Sequence, residues 1–291
     1  IPVKTETIGL TEEVIGRWVA SSGRRSDYVI ATKCLGPNGF IRDQRPVDGA
    51  TIREACETSL RRLQTDVIDL YQLHWPNRDT YHFRRVWAFD PSPQDRAVTV
   101  QHMDDVMGAL AALVAEGKIR AFGLSNETTW GTAQWLAAAA RSGGPRVDAI
   151  QNEYSPLCRM PADADLAELC HNEAVTLLAF SPLATGLVTG KYLDRALPQG
   201  SRHQVAGGSP RATPKVDGAV RAYLAVADKH GLDPVHMALA FCAQRPFPCI
   251  PIFGATTMAQ LEHIAEGRDL VLSEAVLADL DDANRAHPMP F

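Results

Sequence analysis

The chain has 291 residues, of which 45% are apolar and 22% charged, and its formal net charge is −5. This composition excludes a disordered or fibrous chain. The acidic balance, without any basic block, excludes the electrostatic footprint of a nucleic-acid or anionic-membrane binder. No apolar run reaches the ~20 residues that span a bilayer, and no secretory leader is visible. The six cysteines form no C-x-x-C pair and read as reduced thiols of a cytoplasmic protein.

In chain order, residues 10–22 carry apolar side chains at helical spacing, closed by Gly23. Residues 28–32 are a short β-branched run leading to Lys33. A helix over 48–63 precedes a strand over 67–73 that reaches His74. After an insertion rich in Arg, Asp and aromatics (77–99), the pattern gives helix 100–115, strand 119–124, helix 130–141 and strand 147–152. Helix 164–173 and strand 175–180 follow. Beyond a long Gly- and Arg-bearing loop (184–214) come helices 216–230 and 234–244, strand 249–253, and helices 257–265 and 273–286.

Six near-continuous apolar strands, each followed by a helix, predict an α/β fold with a parallel sheet covered on both faces. An open doubly wound sheet would carry a Gly-rich phosphate turn, and no G-x-G-x-x-G occurs. A (β/α)8 barrel uses about 30 residues per unit. The reading is therefore a single barrel domain over 1–291 in which the first two strands are missing from the given chain. Both long loops follow the C-terminal ends of strands, where such a barrel keeps its chemistry.

Polar residues end five of the strands: Lys33, His74, Ser125-Asn126, Gln151-Asn152 and Phe180-Ser181. Ends of parallel strands share one rim, so these groups predict a pocket holding a cation, an imidazole and several hydrogen-bonding groups.

The stretches IATK (30–33), TDVIDLYQLHWP (65–76), GKIRAFGLSN (117–126), IQNEYSPL (150–157), LLAFSPLATGLVTGKY (177–192) and GATTMAQLE (254–262) carry a resemblance. Across its whole length the chain resembles the aldo-keto reductase family. Within it, the chain looks most like the branch of Tas-like bacterial proteins and potassium-channel β subunits.

The resemblance implies an NADPH-dependent reduction of aldehyde or ketone carbonyls, with Lys33 and His74 as catalytic residues. Lys33 would tune a proton-donating tyrosine, and His74 would orient the carbonyl oxygen. Ser125, Asn126 and Gln151 would hold the nicotinamide carboxamide, and Phe180 would stack beneath the ring. Ser181, Leu183 and Gly186 would line the pyrophosphate, with Lys191 and Arg202 as phosphate cations. Gly254, Thr256 and Gln260 match the adenosine-phosphate site at a helix start.

The chain departs from the family in three places. His263 and Ile264 stand where a Glu-Asn pair usually holds the adenine. Gln260 is neutral where other branches place an arginine. The catalytic tyrosine would fall about two positions before Ile1, with an aspartate ahead of it, and none of the six tyrosines present sits at a matching motif. The expectation is a polypeptide extending some 45 to 60 residues upstream, by the ~30-residues-per-unit estimate. Trp75, Trp87 and Phe89 are candidate apolar walls for the substrate, and Trp87 and Phe89 fit a core or surface-loop role equally well.

The expected partner is a small-molecule carbonyl substrate, with no nucleic acid, no membrane and no metal. Oligomeric state is not legible. The alternative reading is an NADPH-binding regulatory or structural protein with little turnover.

Overall fold

The computed structural model describes residues 5–38 and 41–291. Their backbone contacts divide the chain into two units, Ile1–Ile150 and Gln151–Phe291. In the first unit helices and strands alternate: α1 (Leu10–Ser22), β1 (Ala31–Cys34), α2 (Gly49–Leu63), β2 (Ile68–Leu73), α3 (Arg96–Ala115), β3 (Ile119–Ser125) and α4 (Thr129–Ser142). Strand β4 (Val147–Gln151) runs up to the boundary.

Pairing in the first unit follows chain order. β1 lies parallel to β2 with Lys33 opposite Gln72, and β2 lies parallel to β3 with Gln72 opposite Gly123. Parallel neighbours need a crossover, which α2 and α3 supply. Ile52, Cys56 and Leu63 of α2, Ile68 and Tyr71 of β2, and Met103, Met107 and Leu110 of α3 are fully buried. Phe122 of β3 meets Trp135 of α4 edge to face at 5.7 Å, a preferred aromatic geometry.

Side-chain caps set the helix starts. Asp48 accepts from the N–H of Thr51, Asp95 from those of Ala97 and Val98, and Thr128 from that of Gly131, satisfying donors that a first turn leaves free. The Asp95 cap is why α3 begins at Arg96, four residues ahead of the sequence expectation. The first strand is also displaced, from 28–32 to Ala31–Cys34. Asp69 is the cause: its carboxylate accepts the Ile30 N–H at 2.8 Å and pairs with Arg25, anchoring the chain ahead of the ladder. Lys33 thereby lies within β1 rather than after it. Among the described residues β1 has a sheet neighbour on one side only, and Val29 just before it is 82% exposed.

The second unit opens with a wide π turn (Ala162–Leu166) running into α5 (Ala167–Asn172), where periodicity predicts one continuous helix. β5 (Thr176–Phe180), α6 (Arg202–Val205), α7 (Val216–Lys229), α8 (Pro234–Ala243), β6 (Cys249–Ile252), α9 (Met258–Glu266) and α10 (Glu274–Ala286) complete it. β5 and β6 are parallel, with Leu177 opposite Cys249.

Its core holds Tyr154 stacked on Phe241 at 5.9 Å, and the Arg159 guanidinium lies 5.0 Å over the same phenylalanine. Arg159 bonds Asp163 at 2.7 Å and Asp281 at 2.8 Å. The Tyr154 hydroxyl donates to Asp163 at 2.6 Å, so each buried charge has a partner. Among the described residues no helix is long and apolar enough to cross a membrane.

Candidate active site

Lys33 and His74 line one cavity of about 790 Å³ in the first unit, beside β1, α1 and α2. The register places Cys34 opposite Leu73, and the His74 N–H continues that ladder by donating to the Cys34 carbonyl at 2.9 Å. Both side chains are half-buried. Burial lowers the Lys33 pKa. Burial, reinforced by the Lys33 charge, pushes His74 from the ordinary 6.5 down to about 3. At neutral pH the imidazole is therefore uncharged and can donate from one nitrogen and accept at the other.

The end of β3 holds this arrangement in place. Asn126 sits in the left-handed region at φ 51°, which Asn tolerates better than most residues. Its amide donates to the His74 carbonyl at 2.9 Å and to the Ser125 hydroxyl at 3.2 Å. Lys33, His74, Ser125 and Asn126, read from the sequence as strand ends, thus cluster in one unit.

Two features beside them escape the sequence reading. Gln72 is fully buried in the same register row as Lys33 and donates to the Leu124 carbonyl at 3.0 Å. It fits because Gly123 lies opposite: a Cβ there would meet the Ala149 carbonyl at 2.9 Å and the Gln72 side chain at 3.2 Å. A glutamine inside the apolar run VIDLYQL was the available signal. The second feature is a buried ion pair. Arg78 forks onto both carboxylate oxygens of Glu127, one contact at 2.9 Å, tying the loop after β2 to the residues after β3.

A second cavity of about 480 Å³ opens on the loop after β2, lined by Trp75, Phe83, Arg78, Asp79 and Arg85 among others. Trp75 lies with its ring 4.8 Å from that of His74 and edge-on to Phe83 at 5.9 Å. Its indole N–H donates to the Pro37 carbonyl at 3.1 Å. Of the expected apolar walls Trp75 therefore lines a cavity, whereas Trp87 is 73% exposed and Phe89 packs on Tyr81. Phe83 supplies a wall that the sequence did not mark.

In the second unit the remaining expected site residues form three groups. Gln151 ends β4, and Phe180 ends β5, where its carbonyl accepts the Tyr154 N–H at 3.2 Å. Ser181, Ala184 and Thr185 all have positive φ, and Gly186 follows at φ 95°. Only glycine takes that last angle without strain, and a Cβ on it would meet the Lys191 side chain at 3.1 Å. The Gly186 N–H donates to the Leu183 carbonyl at 2.8 Å. Lys191 and Arg202 are exposed cations of the following loop.

Gly254, Thr256 and Gln260 are exposed at the start of α9. The Gln260 side-chain oxygen accepts from the Thr256 N–H at 2.9 Å and its hydroxyl at 3.0 Å. Ile264 is only 7% exposed and packs inward, so its side chain belongs to the core of the second unit.

Residues 8–285 match the model of the aldo/keto reductase family. The chain belongs to that family. Its α/β succession of strands and helices is that of the aldo-keto reductase (β/α)8 barrel. It is 42% identical to the protein tas of Escherichia coli strain K12 over 100% of this chain and 84% of that protein. It is 27% identical to a probable voltage-gated potassium channel subunit beta of Arabidopsis thaliana, over 96% of this chain and 81% of the plant protein. It is 28% identical to the NADP(+)-designated aldo-keto reductase yakc of Schizosaccharomyces pombe, over 94% of this chain and 75% of the yeast protein. Membership makes the chain an oxidoreductase homologue, and Lys33 and His74 fall within its matched region.

Proposed function

We propose that this aldo-keto reductase reduces small aldehyde or ketone carbonyls with NADPH, and that Lys33 and His74 act on the carbonyl oxygen. The observation that carries the reading is the pairing of a half-buried lysine with a half-buried histidine along one cavity, the lysine's charge opposing protonation of the imidazole.

The residues present suit a nicotinamide dinucleotide. In the first unit, Ser125 and Asn126 offer the hydrogen-bonding groups that a carboxamide needs. In the second unit, Gly186 keeps a close backbone approach clear, and the exposed cations Lys191 and Arg202 match phosphate charge. Phe180 offers a ring face for stacking. By the family resemblance Gln151 would serve the carboxamide, Ser181 and Leu183 would line the pyrophosphate, and Gly254, Thr256 and Gln260 would hold the adenosine phosphate. NADPH, when bound, supplies a hydride for the carbonyl carbon.

The protein's own part is at the oxygen. His74 donates a hydrogen bond to the carbonyl oxygen and fixes its direction, polarising it for attack. Burial makes Lys33 a readier proton source than a solvated lysine, easing proton delivery at Nζ to the developing alkoxide, directly or through an acid beside it. Trp75, whose ring lies 4.8 Å from that of His74, and Phe83 give the neighbouring 480 Å³ cavity two aromatic walls beside the charged groups of Arg78, Asp79 and Arg85.

Fluorescence titration with NADPH and NADH, joined to a turnover assay over an aldehyde panel, tests this reading. The expected result is tighter NADPH binding, weakened by Arg202→Ala by about 1.5–3 kcal/mol, the loss of one charge-assisted contact, with aldehyde-dependent consumption. Tight NADPH binding without consumption would favour a regulatory protein instead.

A further inference from the structure

Away from the proposed reductase site, the second unit brings two histidines and an aspartate together where α8 begins and α9 passes it. One ligand atom from each of Asp233, His236 and His263 lies within 4.8 Å of the other two. We propose that these three residues form a binding site for a zinc-class divalent transition-metal ion, linking α8 to α9.

Asp233 and His263 already face one another. Asp233 caps α8 through one carboxylate oxygen, which accepts the Val235 and His236 N–H groups at 2.8 and 3.0 Å. Its other oxygen turns outward, 3.3 Å from Nε2 of His263. Zinc bonds of about 2.0–2.1 Å place tetrahedral ligand atoms about 3.4 Å apart, so this pair is already at ligand spacing.

The His236 ring is held on two sides. Its Nε2 lies 2.6 Å from the His263 backbone carbonyl, so Nε2 carries the proton and Nδ1 keeps the lone pair. On the Cδ2 edge it packs so tightly on Gly267 that a Cβ there would stand 2.4 Å away. The His236 and His263 rings are 4.7 Å apart.

The outer contacts also suit a metal. Ligating histidines direct their second nitrogen to a carbonyl or carboxylate. His236 has the His263 carbonyl at 2.6 Å, and Glu266 stands 3.8 Å from Nδ1 of His263, beyond hydrogen-bond distance. Two imidazoles and one carboxylate favour zinc, nickel or copper over calcium or magnesium. With three protein ligands, a water completes the tetrahedron. The His263 side chain is 44% exposed, which leaves an entry path.

The test is titration of chelator-treated full-length protein with Co²⁺, read in the visible spectrum, with Zn²⁺ competition. One equivalent should bind with tetrahedral d–d bands and no thiolate charge-transfer band. His263→Gln and His236→Gln should each weaken it at least tenfold. Asp233→Asn, which retains the acceptor that caps α8, separates loss of a metal ligand from loss of the helix, and circular dichroism checks that every variant is folded. Binding that is equal in the folded variants, that shows a thiolate band, or that is absent at micromolar Co²⁺ overturns the proposal. The cluster shares no residue with the proposed chemistry at Lys33 and His74, and His236→Gln, which leaves His263 of the family's adenine position in place, keeps the metal test apart from NADPH binding.

Discussion

The side-chain amide of Asn126 donates to the backbone carbonyl of His74 at 2.9 Å, joining the end of β3 to the end of β2. This bond fixes the peptide that presents the imidazole. Asn126→Ala leaves that carbonyl without this donor and puts at φ 51° a residue that tolerates the left-handed region less well than Asn. The combined cost should be about 2–4 kcal/mol. Asn126→Gly removes the same bond without the backbone strain and should cost about 1 kcal/mol less. Urea denaturation of both variants measures the difference, and equal losses would show that the left-handed angle carries no strain.

His74 makes stability depend on pH in a definite direction. Its pKa falls from 6.5 to about 3 on folding, so between those values the unfolded chain binds more protons than the folded one. This contribution to stability is present above about pH 6.5 and is lost as pH falls toward 3. His74→Gln should flatten that part of the profile. Thermal unfolding at several pH values checks it; an unchanged slope in the variant would assign the dependence to other groups.

The Arg78–Glu127 pair is the buried polar contact whose rupture should cost most in the first unit. The side chains are 10% and 2% exposed. Arg78→Met leaves the buried Glu127 carboxylate with the Thr128 N–H at 2.6 Å but without its cation, so it should destabilise by about 3–5 kcal/mol. Adding Glu127→Met should recover much of that loss. A double-mutant cycle by chemical denaturation reads this directly, and additive losses would mean the pair is not coupled.

Much of this arrangement was legible in the sequence, because polar residues at the ends of apolar strands are conspicuous. Lys33, His74, Ser125 and Asn126 were read that way, and the structure clusters them. What escaped was set by tertiary contacts. Arg78 and Glu127 stand 49 residues apart, and no local pattern joins them. Gln72 read as part of an apolar strand, since only the register reveals Gly123 opposite it. The displaced β1 has the same origin: the Asp69 carboxylate, distant in sequence, anchors Ile30. Ile264 was read as a gap in an adenine site, but its burial places the side chain in the core of the second unit.

Lys33 should separate chemistry from binding. Lys33→Met removes the cation that eases proton delivery, and turnover should fall at least 100-fold, within the range of general acid catalysis. The dissociation constant for NADPH should stay within about threefold, because the lysine acts in the transition state. Steady-state kinetics alongside fluorescence titration measure both. Equal loss of binding and turnover would make Lys33 a cofactor ligand.

Hydride transfer itself is read most directly with NADPH deuterated at the nicotinamide C4, incubated with the full-length protein and an aromatic aldehyde. Mass spectrometry of the product should show one deuterium on the carbinol carbon from only one of the two C4 diastereomers, and none in the Lys33→Met reaction. An alcohol without deuterium from either diastereomer, or bound NADPH that yields no alcohol, would show that this protein is not a carbonyl reductase.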